Sequence, residues 1–239
     1  MPRNKILLLS NSTNHGQQFL QHALGDIKEF LGPSVKRLLF VPFASVTRSY
    51  HEFAALTRGR FAEIGYQLDS VHEAADPIEA VRRADALAIG GGNTFHLLRG
   101  LYETELIDVI RNRVEVGMPY IGWSAGSNVT CPTIKTTNDM PIVEPPSFSA
   151  LNLVLFQINP HYTDEQLEGH QGETREQRIE EFTTANPGVN VLGLREGSIL
   201  RIEGRTIKLL GEKTVRVFTS GQQAREYRPE DSLEFLLTS

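Results

Sequence analysis

Apolar positions along the first half of the chain fall into two textures. Short continuous runs at residues 5–10 (KILLLS), 37–43 (RLLFVPF), 84–89 and 119–123 have the length and composition of strands buried on both faces of a sheet, and residues 66–71 read as a further strand. Between them, apolar residues recur at helical spacing. Phe19, Leu20, Ala23, Leu24, Ile27 and Leu31 form one stripe, ended by Gly32-Pro33, and Phe53, Leu56, Phe61 and Ile64 form another before Gly65. Asp76-Pro77 reads as an N-cap with proline at the first helical position, opening a helix to about Arg83. Residues 94–98 and 103–116 read as further helices. The alternation predicts an α/β fold: a largely parallel central sheet with helices on both faces.

After Cys131 the pattern changes. Residues 132–150 are rich in Pro, Thr, Asn and Ser and show no periodicity, as in a functional or disordered connection. Residues 151–158 return to strand character and end in Asn159-Pro160-His161. Residues 163–172 read as a surface loop, 174–182 as a helix, and 189–194 as a strand leading into Arg195-Glu196-Gly197. Residues 198–202, 205–210 and 214–219 suggest a small antiparallel C-terminal sheet with turns at Glu203-Gly204 and Gly211. No repeat, low-complexity tract or linker interrupts the chain, so residues 1–239 are read as a single domain.

Composition narrows the function classes. A hydrophobic content of 40% and a charged content of 22% are ordinary for a globular protein with a sizeable core. A net charge of −5, with no basic run, argues against a nucleic-acid partner. The single cysteine, Cys131, excludes an intrachain disulfide and a cysteine-based zinc cluster. The apolar run Ile6 to Leu9 is too short for a signal-peptide core or a membrane span, so a cytoplasmic protein without membrane contact is expected. Self-association into a homo-oligomer is compatible with the sequence.

The richest chemistry lies at residues 119–128 (PYIGWSAGSN), where Gly122-Trp123-Ser124-Ala125-Gly126 is a G-x-S-x-G pentapeptide after an apparent strand. A serine at a strand-to-helix corner sits in a strained turn that projects its Oγ from the sheet, and close packing there leaves no room for Cβ atoms on the flanking glycines. Ser124 is therefore the candidate nucleophile, and the backbone N–H of Ala125 a candidate oxyanion donor. In open α/β sheets ligands bind beyond the carboxyl ends of the strands. Ser124, the run Gly90-Gly91-Gly92-Asn93, His161 and Glu196 all follow strands.

A serine hydroxyl needs a base. Of seven histidines, His15, His22, His51, His72 and His170 fall on helices, turns or loop edges; His96 follows the glycine run; His161 ends an apolar strand and is preferred as base. The orienting acid is either Glu196, on a strand end, or Asp139, in the long loop; the more rigid position favours Glu196. The glycine run has neither G-x-G-x-x-G nor Gly-Lys-Ser/Thr spacing, so no nucleotide cofactor is implied, and Gly91 or Gly92 is read as the second oxyanion donor. Glu173, Arg175 and Arg178 lie near a helix start, where a solvated face is the simplest reading. No H-E-x-x-H or comparable ligand spacing exists, so no metal is expected.

The segments ILLLSNST, GGGNTFHLL, YIGWSAGSN, CPTIKTTNDMPIVEP, QINPHYT and GHQGETREQRIEEF, in that order, resemble the peptidase E family of α-aspartyl dipeptidases, serine peptidases related to cyanophycinases. The likeness covers most of the chain; the last twenty or so residues carry none of it. It implies a fold similar to the class I glutamine amidotransferases rather than the α/β-hydrolases, no cofactor, and removal of N-terminal aspartate from small Asp-X dipeptides. It places the nucleophile on Ser124, the base on His161, and the acid on either Asp139 or Glu196. An aspartyl substrate calls for a cation, for which Arg175 is the first candidate and Arg178 the second. Asp139 or Glu173 would accept from the substrate's α-ammonium, and Asn93 would contact the substrate. A glutaminase or amidotransferase-like hydrolase, which would need cysteine in place of Ser124, and a non-catalytic binding domain on the same scaffold are the alternatives.

Overall fold

The computed structural model describes residues 4–165 and 171–238. In chain order the strands are β1 (Lys5–Leu9), β2 (Arg37–Val41), β3 (Gln67–Ser70), β4 (Ala86–Ile89), β5 (Tyr120–Trp123), β6 (Gln157–Tyr162), β7 (Val191–Arg195), β8 (Ile199–Glu203), β9 (Thr206–Leu210), β10 (Val215–Phe218) and β11 (Arg225–Tyr227). The helices are α1 (Leu24–Leu31), α2 (Tyr50–Glu63), α3 (Pro77–Arg83), α4 (Thr94–Glu103), α5 (Leu106–Glu115), the single turn α6 (Ala125–Asn128), and α7 (Arg175–Ala185).

A seven-stranded sheet runs β3-β2-β4-β5-β1-β8-β9, and a four-stranded sheet runs β11-β10-β7-β6. The first five strands of the large sheet are parallel. The apolar runs of β1, β2, β4 and β5 are continuous because both faces are covered, and the two-residue period of a strand sorts them, whereas edge strand β3 alternates exposed and buried positions. Ile6, Leu8, Val41 and Ile89 pack with Val81, Leu97, Leu101 and Ile110 of α3, α4 and α5. Leu7, Leu9, Phe40 and Trp123 pack with Ile27, Phe30, Phe53 and Phe61 of α1 and α2.

Helix starts follow the local chemistry. The Asp76 carboxylate accepts from Glu79 N at 2.9 Å, with Pro77 at the first helical position, as the sequence predicts. Ser49 with Glu52 and Thr174 with Gln177 form reciprocal capping boxes on α2 and α7.

Three expectations shift. Residues 19–23 carry the helical stripe but precede α1, because Leu20 is left-handed (φ 57°) and Gln21–Ala23 form only a 3-10 turn. Residues 151–156 are not a strand, although Leu151, Leu153, Val154 and Phe156 are buried. Leu151 N and Leu153 N bond Val129 O and Thr130 O, so the run packs onto the segment after the elbow. The C-terminal antiparallel strands divide between the sheets: β8 and β9 extend the large sheet beside β1, whereas β10 pairs with β7, and β11 with β10, in the small one. The small sheet's inner face, with Ile158, Leu192, Leu194 and Val217, belongs to the main core. Tyr162, Val191 and Phe218 pack with Ile179 of α7 on its other face. The expected surface loop at 163–172 lies partly outside the described residues.

Candidate active site

The elbow is built by close approach. Ser124 occupies φ 53°, ψ −112°, a conformation that L-residues rarely adopt, between β5 and α6. A Cβ at Gly122 would stand 2.3 Å from Gly126 O, and one at Gly126 would stand 2.1 Å from Ile89 O, so both flanking glycines are steric requirements. Three bonds hold the turn: Ser124 N donates to Leu9 O (3.1 Å), Tyr120 OH to Gly126 O (2.6 Å), and Ser127 Oγ to Leu9 O (2.7 Å). Trp123, buried, stacks on Phe40 with centroids 5.8 Å apart and meets the edge of Phe19 at 5.9 Å.

His161 comes from the other sheet. It interrupts the β6–β7 register between Pro160 and Tyr162 and has φ 53°, so it is the extra residue of a bulge that re-aims its ring. A clasp sets its height. His161 N donates to Ser10 Oγ (2.9 Å), and Ser10 Oγ donates to Leu194 O (2.7 Å). Ser10, just past β1, thus ties β6 and β7 of the small sheet to the large one beside the elbow.

The ring closes a chain of hydrogen bonds. Nδ1 lies 2.6 Å from Glu196 Oε1, and Nε2 lies 2.8 Å from Ser124 Oγ. A carboxylate can only accept, so the proton sits on Nδ1 and Nε2 presents its lone pair to the Ser124 hydroxyl. Glu196 is fixed by the turn after β7, where Gly197 (φ 87°) donates its N–H to Asn11 Oδ1 at 2.8 Å. Arg195 next to it is held by both Glu226 oxygens (2.9 and 2.8 Å) and by Asp164. The side chains of His161 and Glu196 are 39% and 58% exposed, so this half of the site meets solvent.

Asp139 lies elsewhere. Its Oδ2 accepts from Thr94 N (2.7 Å), Thr94 Oγ1 (2.6 Å) and Thr137 Oγ1 (3.1 Å), at the start of α4. The Asn93 side chain caps α4, accepting from His96 N at 3.0 Å, and donates to Met140 O at 2.8 Å. Asp139 and Asn93 therefore pin the long loop to the glycine corner. At that corner a Cβ on Gly91 would stand 3.0 Å from Ser124 Cβ, and one on Gly92 (φ 138°) would stand 2.2 Å from Ala44 O. Among the described residues, none of the backbone bonds outside regular elements uses the N–H of Gly91, Gly92 or Ala125, whereas Gly90 N is bound to Val41 O and Asn93 N to Ala44 O.

A cleft of about 810 Å³ opens over these groups, with Ser124, His161, Gly91, Gly92, Asn93 and Ile142 of the long loop on its walls. Arg48 also lines it, from the loop before α2; no periodic or motif signal in the sequence marks that residue. Arg175, Arg178 and Glu173 are not on these walls. Arg175 begins α7 near Tyr162, half-buried, and burial, with Arg178 nearby, holds its pKa below the ordinary guanidinium value. It makes no ion pair with a described residue, whereas exposed Arg178 lies 3.6 Å from Glu173. His96 is spent on Phe43 O (2.6 Å). Cys131 is buried, accepts from Ile158 N at 3.1 Å, and has its thiol pushed up by burial to about 12, so it is a packing group rather than a nucleophile. Ser10 and Asn11 were missed from sequence; their bonds to His161, Leu194 and Gly197 reach across about 150 or more positions.

Among the described residues no helix is long and apolar enough to cross a membrane. The model of peptidase family S51 matches residues 6–210. The chain is 54% identical to peptidase E of Nostoc sp. (strain PCC 7120) over 233 residues, covering 98% of this chain and 96% of that one. It is 49% identical to peptidase E of Streptomyces coelicolor over 233 residues, covering 97% and 94%. A solved structure of a peptidase from an acI-B1 Actinobacterium superposes with a TM-score of 0.72 at 15% identity, covering 97% of each chain, and so shares the fold. The match extends over Ser124, His161 and Glu196 alike: the chain belongs to peptidase family S51 and is a peptide hydrolase.

Proposed function

We propose that the protein is a serine dipeptidase that releases N-terminal aspartate from Asp-X dipeptides. The observation that carries this reading is the unbroken chain from Ser124 Oγ through His161 to Glu196, with distances of 2.8 and 2.6 Å. His161 Nε2 takes the hydroxyl proton as Oγ attacks the carbonyl of the Asp-X bond. Glu196 holds the Nδ1–H tautomer and stabilises the imidazolium. The N–H groups of Ala125 and of Gly91 or Gly92 receive the developing oxyanion. His161 then protonates the leaving amine, and water, activated by the same ring, hydrolyses the acyl-enzyme on Ser124.

Recognition of aspartate needs a cation and an acceptor. Arg175 is the first choice for the cation, because a half-buried guanidinium without a described counter-charge gains most from a bound carboxylate. Arg48, on the cleft wall, is the second. All three bonds to Asp139 use Oδ2, which leaves Oδ1 to accept from the substrate's α-ammonium. The specificity is tested by assaying Asp-Leu and Ala-Leu with wild-type protein, Arg175→Met and Arg48→Met. The expected result is preferential cleavage of Asp-Leu by the wild type and loss of that preference in Arg175→Met, by roughly a hundredfold or more, since a site built around a charge leaves its own charge unpaired otherwise. Equal cleavage of both dipeptides by the wild type, or unchanged Asp-Leu cleavage in both variants, overturns it.

A further inference from the structure

Three side chains outside the catalytic cleft converge in a way the serine mechanism does not use. His51 is the second residue of α2; His72 and Glu73 lie in the 3-10 turn after β3. In the sequence the two histidines are too far apart to suggest a ligand pair. In the fold, His51 Nδ1 lies 3.2 Å from His72 Nε2 and 3.5 Å from Glu73 Oε1, and His72 Nε2 lies 3.9 Å from the same oxygen. A tetrahedral ion with bonds of about 2.0–2.2 Å to imidazole and carboxylate has ligand-to-ligand edges of roughly 3.4 Å. The three separations bracket that edge.

The surroundings aim these atoms as ligands. Ser70 Oγ stands 2.7 Å from His72 Nδ1 and 3.3 Å from Phe40 O. With the hydroxyl donating to the carbonyl, its oxygen accepts from Nδ1–H, which leaves the lone pair of His72 on Nε2, facing the other two groups. Arg58 Nη2 donates to Glu73 Oε2 at 2.9 Å while its Nε is held by Leu68 O at 2.9 Å, so Glu73 turns its other oxygen, Oε1, inward. The side chain of His72 is 10% exposed and that of His51 is 77% exposed, so the cluster has an inner wall and an outer side open to solvent.

We propose that His51 Nδ1, His72 Nε2 and Glu73 Oε1 form a binding site for a borderline divalent cation, Zn2+ first, with Ser70 and Arg58 as the groups that orient the ligands. The two-nitrogen, one-oxygen set suits zinc rather than Mg2+ or Ca2+, which prefer oxygen-only shells. The site joins the start of α2 to the end of β3 and contains no group of the Ser124 cleft, so it is structural with respect to the reaction.

The test is calorimetric titration of the chelator-treated full chain with Zn2+, on wild type, His51→Gln and Ser70→Ala, with melting temperatures read with and without Zn2+. The expected result is one wild-type site that His51→Gln removes or weakens at least tenfold and that Ser70→Ala weakens about tenfold or more, the usual range for an orienting group. Zn2+ raises the melting temperature of the wild type and not of His51→Gln, and chelator-treated His51→Gln hydrolyses dipeptide at the wild-type rate. His51 is exposed, so its replacement leaves the fold intact. Absence of saturable Zn2+ binding by the wild type, or the same number and strength of sites in His51→Gln, overturns the proposal.

Discussion

The two halves of the catalytic centre are held by different physics. Ser124 stands on the large sheet, where backbone meets backbone at distances that exclude even a methyl group and Trp123 is buried between Phe40 and Phe19. His161 and Glu196 stand on the small sheet, where the side chains are 39% and 58% exposed and are set by a bulge, the Ser10 clasp and an ion-pair network around Arg195. Ser124 is positioned by packing, and His161 and Glu196 by polar bonds. Damage to the first side is expected to appear as lost stability, and damage to the second as lost rate.

The largest effect belongs to the packed side. Gly126→Ala places a Cβ about 2.1 Å from Ile89 O, a backbone atom that has little room to retreat. Overpacking of this kind costs about 3 kcal/mol, which lowers the melting temperature of a chain this size by roughly 6–12 °C. A melt of Gly126→Ala unchanged from wild type would contradict a packed elbow. Next comes Glu196→Gln. It keeps the shape but removes the charge that fixes the Nδ1–H tautomer and steadies the imidazolium, so kcat falls by roughly 10–100-fold with little change in melting temperature. The loss is smaller than for a buried acid because solvent screens an exposed carboxylate. If Asp139→Asn rather than Glu196→Gln mimicked the loss of a triad acid, with its effect confined to kcat, the division of labour between them would be reversed. The smallest effect is expected from Ser10→Ala. It leaves His161 N and Leu194 O without their partner, costs about 1–2 kcal/mol, and lowers activity by less than tenfold, since the bulge persists. Equal losses in all three variants would erase the distinction between the two sides.

Much of the packed side was legible in the sequence, because close packing selects short local patterns. Gly122-Trp123-Ser124-Ala125-Gly126 announces a corner, and the apolar runs at β1, β2, β4 and β5 announce a parallel sheet. The carboxyl-end rule also singled out His161 and Glu196, although it placed the strands before them in the central sheet with the elbow. What the sequence did not disclose is that β6 and β7 form a second sheet, that His161 is a bulge rather than a strand end, and that Ser10 joins the two sheets. These features depend on pairings between distant segments, such as Gln157 with Val191 and Ser10 with His161 and Leu194, and no local period encodes them. Arg48 and the His51–His72–Glu73 cluster were hidden for the same reason, since each acquires its neighbours only in the fold.

The central claim is that Ser124 is a nucleophile activated by His161. It is tested most directly by reacting the folded protein with a serine-directed phosphonylating reagent and locating the adduct by mass spectrometry of intact protein and peptides. The account predicts one adduct, on Ser124, absent in Ser124→Ala and formed at least a hundredfold more slowly in His161→Ala, since an unassisted serine hydroxyl is a weak nucleophile. Adduct on another residue, or the same labelling rate without His161, would contradict it.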